Sequence, residues 1–197
     1  MANTIEIVNR ALTKLGSSRI LSLADDAKAA QTMAAIYDLT LSLELQSHPW
    51  TFAMTRAQLP ALSAAPAFGW KLAYQLPTDF LRLVELGQWW VLYQPDVELF
   101  EIEGATILTD ESAPLKIRYV ASITNAGLFP PVFAEALACR LAAEAAEDLT
   151  QSLSKREAAE SAYRAAISMA RKTNAIQQPP QPTTEGTWLL ANRQLRG

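Results

Sequence analysis

The chain has 197 residues, half of them apolar and 19% charged, with a formal net charge of −3. That composition excludes a disordered chain and argues against a protein that grips nucleic acid through phosphate contacts. One cysteine and one histidine, Cys139 and His48, exclude an internal disulfide and a His/Cys zinc site.

No apolar run approaches the ~18 residues a membrane span needs, so no membrane association is predicted. The opening residues lack signal-peptide character, and the expectation is a chain made in the cytoplasm and kept reduced. Among the seven glycines none is spaced for a phosphate loop or a dinucleotide fingerprint, and no cofactor is implied.

The first helix opens with Asn3 and Glu6 at capping-box spacing and carries the stripe Ile5, Val8, Leu12 and Leu15. Gly16 stops it at the left-handed position that ends many helices. Ser22 with Asp25 suggests a second helix start. The helix that follows runs to about Gln46 with Ala30, Ala34, Tyr37, Leu41 and Leu45 inward. Pro49 ends it, because the residue before a proline leaves helical space. His48 reads as a junction residue there.

From Trp50 onward the period changes to short β-branched and aromatic runs separated by prolines. Strands are predicted at 52–58, 70–75, 81–86, 97–101, 106–108 and 115–121, with turns at Gly104 and at 109–114. In the last strand Lys116 and Arg118 alternate with Leu115, Ile117 and Tyr119, so Glu101 and Glu103 are predicted to oppose the two cations across the sheet. The adjacent Trp89 and Trp90 point to opposite faces, one to the core and one to an interface.

The stretch 130–174 is an alanine-rich helical hairpin. Pro130 and Pro131 suit a helix start, and Phe133, Leu137, Leu141, Ala145 and Leu149 form an i, i+4 row. Cys139 lies in this helix as a small buried hydrophobe. A second capping box, Ser154 with Glu157, precedes a helix whose face holds Ala159, Ala162, Ala166 and Met169 beside Tyr163, Ile167 and Ala170. Glu144, Glu147 and Asp148 crowd the wrong end of the first helix dipole. Either Lys155, Arg156, Arg171 or Lys172, of the same or a neighbouring subunit, neutralises them, or they line a passage for a sliding polyanion.

Beyond Asn174 the chain is proline-rich and polar, then ends in Trp188, Leu189 and Leu190 followed by Arg193 and Arg196. This arm spans up to about 75 Å if extended and resembles a segment that orders on a partner, the alternative being a disordered terminus that folds back on its own domain. The fold class is therefore α+β. A helical bundle of 1–49 and 126–174 carries an inserted antiparallel β domain, 50–125, and an extended C-terminal arm, 175–197.

The ordered motifs resemble the tail tubular protein A family, the head-to-tail adaptors of short-tailed bacteriophages. They are Asn9 to Gly16 with Ile20, Ser22, Leu23, Asp25 and Asp26, and then Pro49-Trp50-Thr51-Phe52-Ala53 with Arg56 and Leu59. Next come Tyr74-Gln75-Leu76-Pro77 with Asp79 and Arg82, then Leu108-Thr109-Asp110, then Arg118-Tyr119-Val120, and finally Pro131 to Ala138 with Leu149-Thr150. The resemblance implies a structural virion protein of the phage neck, with no catalytic site, assembled as a ring of twelve copies under the portal protein. Such a ring extends the channel for double-stranded DNA and supports the tail nozzle protein. The arm residues Trp188, Leu189, Leu190, Arg193 and Arg196 would then bind the portal, and Trp89 or Trp90 would meet the nozzle or a neighbouring subunit. The competing reading is a cell-wall-degrading tail glycosidase using carboxylates such as Glu101 or Glu103. A sequence-specific DNA-binding protein is the third, disfavoured by the charge.

Overall fold

The computed structural model describes residues 3–87, 89–90 and 99–177. Four helices are formed by α1 (Thr4–Leu15), α2 (Lys28–Ser47), α3 (Pro131–Thr150) and α4 (Leu153–Ile176). Between α2 and α3 run β1 (Met54–Leu59), β2 (Leu72–Gln75), β3 (Phe80–Leu86), β4 (Trp89–Trp90), β5 (Glu101–Glu103), β6 (Thr106–Thr109) and β7 (Leu115–Ala121). The strands make two antiparallel sheets, ordered β1-β7-β3-β4 and β2-β6-β5. The α+β class and the insertion of the strands between two helical pairs are as the sequence predicts.

Helix α3 is the hub, packing against each of the other three helices. Alanine makes this possible. Ala138, Ala142 and Ala146 lie one turn apart and are fully buried, which lets a neighbouring axis come close. Phe133, Leu137, Leu141 and Ala145 are buried as predicted, while Leu149 is only partly covered. The start of α3 is fastened to the start of β1 by an aromatic cluster. Trp50 and Phe52 meet the Phe133 ring edge-on with centroids 5.0 and 4.8 Å apart, and Phe129 adds a third contact at 5.2 Å.

Two hydrophobic clusters share the four-stranded sheet. Val84 and Val120 belong to the helical core, whereas Leu83, Leu115, Ile117 and Tyr119 pack with Tyr74 and Ile107 of the second sheet. The outer face of the larger sheet is thus apolar where the helices cover it and polar beyond them.

Local chemistry accounts for most helix ends, with two corrections. Asn3 and Glu6 do form a reciprocal capping box, and Gly16 sits at φ 69°. Ser22 and Asp25 do not start α2. The Asp25 carboxylate accepts from the Leu21 and Ser22 amides at 3.0 Å, making a local loop, and α2 begins at Lys28. Likewise Ser154 lies inside α4, which starts at Leu153 after Ser152 without a side-chain cap. On α2, Ala34 faces solvent, and Met33, Thr40 and Glu44 take buried places instead. On α4, Ala162 and Met169 are exposed, so the buried face is Ala159, Ile167, Ala170 and Asn174.

Candidate interface surfaces

The acidic residues at the end of α3 do not act together. Glu144 pairs one turn back with Arg140 at 2.6 Å, and Glu147 pairs with Arg156 of α4 at 2.8 Å. Asp148 turns away to the start of α2, where Lys28 lies at 2.9 Å and Thr32 donates at 2.6 Å. Those bonds hold its carboxyl below the usual Asp range. The predicted common acidic face is therefore split between two neighbours. Lys155 takes no part in it; its ammonium donates to the Leu15 carbonyl at 2.9 Å, a cation placed at the negative end of α1.

Two grooves flank α4. On one side Arg156, Glu160 and Arg164 form an i, i+4 row that faces Arg140, Glu144 and Glu147 across about 460 Å³. Arg156 bridges Glu147 and Glu160, and Arg164 reaches Glu160 at 3.6 Å, so the charges within this groove are mutually compensated. Its wall includes Tyr163, with the Arg140 guanidinium 5.3 Å from the ring centre. On the opposite flank Val132, Ala166 and Met169 form a shallower apolar groove closed by Arg10 and Glu135, which are paired at 2.7 Å.

Behind Tyr163 lies Glu44, only 5% exposed. It accepts the Tyr163 hydroxyl at 2.6 Å through Oε1, while Oε2 has no partner among the described residues. Burial raises the Glu44 carboxyl above the ordinary range against the opposing pull of Tyr163 and Arg140. Burial beside that carboxylate also pushes the Tyr163 phenol up to about 12.

At the far end of α4, buried Asn174 ties the last turn to the start of the β region. Its Oδ1 accepts from the Thr51 amide at 2.7 Å and the Thr51 hydroxyl at 2.9 Å, and its Nδ2 donates to the Pro49 carbonyl at 3.2 Å. The same Nδ2 lies 3.2 Å from His48 Nε2, which must therefore be the unprotonated, accepting nitrogen. Burial and the nearby Arg171 and Arg82 lower the His48 pKa to about 4. Nothing in the sequence singles out Asn174, because its four contacts are with residues more than 120 positions away.

The four-stranded sheet carries a basic face. Arg56 stands directly opposite Arg118, and Lys116 opposite Gln58, around a hollow of about 380 Å³ that also includes Glu85. Arg118 is bonded to Glu85 at 2.9 Å. Here the sequence prediction fails. Glu101 and Glu103 belong to the other sheet, opposite Leu108 and Thr106 of β6, and do not face Lys116 or Arg118. Both are exposed on β5, with Glu101 accepting from the Trp70 indole at 3.1 Å. Neither lines the hollow of the sheet face or the grooves beside α4.

Trp89 and Trp90 have their backbone in β4, paired with Leu86 and Glu85. Their side chains, and the arm residues Trp188, Leu189, Leu190, Arg193 and Arg196, lie outside the described part of the structure. Among the described residues no group of three or more His, Cys, Asp or Glu is placed to hold a metal, and no helix is long and apolar enough to cross a membrane. No protein-family model matches the sequence, and no curated protein matches it either.

Proposed function

We propose that this chain is a structural head-to-tail adaptor of a short-tailed phage virion. Twelve copies form a ring under the portal, continue the DNA channel and support the tail nozzle. What carries the reading is the ordered set of family-like residues together with the work those residues do in the fold. Asn9 holds the Ile20 backbone through both its amide nitrogen and its oxygen, at 2.9 and 2.8 Å. Asp79 accepts from the Tyr119 hydroxyl at 2.9 Å, and Arg82 donates to the Gln46 carbonyl at 3.0 Å. Trp50 donates to the Glu44 carbonyl at 2.8 Å. Each joins one part of the fold to another, a role in holding geometry that supports a structural reading.

The test is a deletion. Removing residues 178–197 is expected to leave the far-ultraviolet circular dichroism of the fold unchanged and to abolish docking on assembled portal protein, followed by sedimentation. Full-length chain that stays monomeric with and without portals sinks the adaptor reading. Truncated chain that binds portals as tightly as the full chain removes the arm from the mechanism.

A further inference from the structure

We infer that the basic face of the four-stranded sheet and the acidic edge strand β5 are the two halves of a head-to-tail contact between copies of this chain. The inference rests on the ring reading above and names the surfaces that would close the ring.

Arg56 and Arg118 are cross-strand neighbours on one face of an antiparallel pair, an arrangement that repels unless something offsets it. Glu85 pairs with Arg118, and no such pair reaches Arg56 among the described residues. Arg56 and Lys116 are exposed and have no ion-pair partner among the described residues. Arg56 and Lys116 therefore present exposed positive charge in a chain that is acidic as a whole. On the other sheet, Glu101 and Glu103 are exposed on one face of β5, and Glu103 has no ion partner among the described residues. Lys116 and Arg118 stand two residues apart on a strand, and so do Glu101 and Glu103. Both pairs thus repeat at about 6.7 Å along their strands; the Arg118 guanidinium is already held by Glu85, so Lys116 and Arg56 are the cations offered to the acidic pair.

Arg56 lies on β1 and the two glutamates on β5, whereas Lys116 and Arg118 lie on β7 inside the larger sheet. Among the described residues β1 ends the larger sheet and β5 ends the smaller one. Two different surfaces of opposite sign on one molecule make a heterologous contact, and a heterologous contact propagates to a closed ring or an open filament. Surfaces of this kind bring copies together quickly and fix their register. A polyanion such as duplex DNA is the other occupant a basic face accepts, but it leaves the matched acidic edge without a role.

The experiment uses the full chain in two charge-reversed forms, Arg56→Glu with Lys116→Glu, and Glu101→Lys with Glu103→Lys. Circular dichroism first confirms that both are folded; Glu103→Lys alone replaces the second form should loss of the Trp70 bond unfold it. Mass is then measured by sedimentation at low salt, alone and on portal protein. Each reversed form is expected to lose self-association by about tenfold or more in affinity, equivalent to at least ~1.4 kcal/mol. An equimolar mixture is expected to regain it, because every contact then joins opposite charges again. Wild-type rings with equally good rings from either reversed form would overturn the contact while leaving the adaptor reading in place. Wild-type protein that never associates, with or without portals, would overturn both. Folded reversed forms whose mixture stays monomeric would overturn the pairing. So would a reversed basic face that loses only binding to duplex DNA.

Discussion

A single neutral imidazole shows how far one side chain can bias this fold. His48 accepts from Asn174, and protonation would set its new N–H against the Asn174 amide hydrogens. Its folded pKa, about 4, lies below the ordinary 6.5, so the folded state prefers the neutral ring. The stability this gives is present above pH 6.5 and is lost as pH falls from there toward 4. The ring is half-buried, so after allowing for solvent screening the loss is on the order of 1 kcal/mol. His48→Gln keeps an acceptor and removes the titration. Urea unfolding at pH 7.5, 5.5 and 4 should show the gap between wild type and variant moving in the variant's favour as pH falls. A constant gap would mean that His48 does not titrate in this range.

Among the elements, α3 is the least tolerant of added volume. Ala142 is fully buried on the central helix. Ala142→Leu should cost about 1–3 kcal/mol or more, because three packed neighbours leave the new side chain no free rotamer. Ala162→Leu on the exposed face of α4 should change stability by less than about 0.5 kcal/mol, and thermal melts of the two variants make the comparison. The elements also show what a sequence discloses. Asn3, Glu6 and Gly16 are legible because a cap is made within four residues of itself. Ser22 and Asp25 mislead because the same two side chains can close a loop as readily as they start a helix. Arg140 with Glu144 follows from spacing alone, whereas Lys28 with Asp148 joins residues 120 apart and follows only from the fold. The strand 115–121 is read correctly from its alternation. Its neighbours are not, since pairing with β1 and β3 instead of β5 is decided by which faces the helices cover. Of the basic face, Lys116 and Arg118 are visible as alternating charges. Arg56 joins them only through the register of β1.

At the scale of the molecule, the two hydrophobic clusters meet at one sheet, with Val84 and Val120 on one side and Leu83 and Tyr119 on the other. Neither cluster can open without uncovering a face of that sheet. Ile107→Ala in the outer cluster and Leu137→Ala in the helical one should each cost roughly 2–5 kcal/mol. Both should shift one and the same denaturant transition, with circular dichroism and tryptophan fluorescence changing together. Two separate transitions would show that the halves are independent.

Strand β1 reaches Arg56 only a few residues after Thr51, the residue that clasps Asn174 and also donates to Gln177 at 2.7 Å. Roughly 15 Å of continuous backbone thus connects the end of α4 to the cationic hollow. On the ring reading proposed above, a load on the last turn of α4 would reach the cationic hollow through these few residues, which links the two places along one short stretch of backbone.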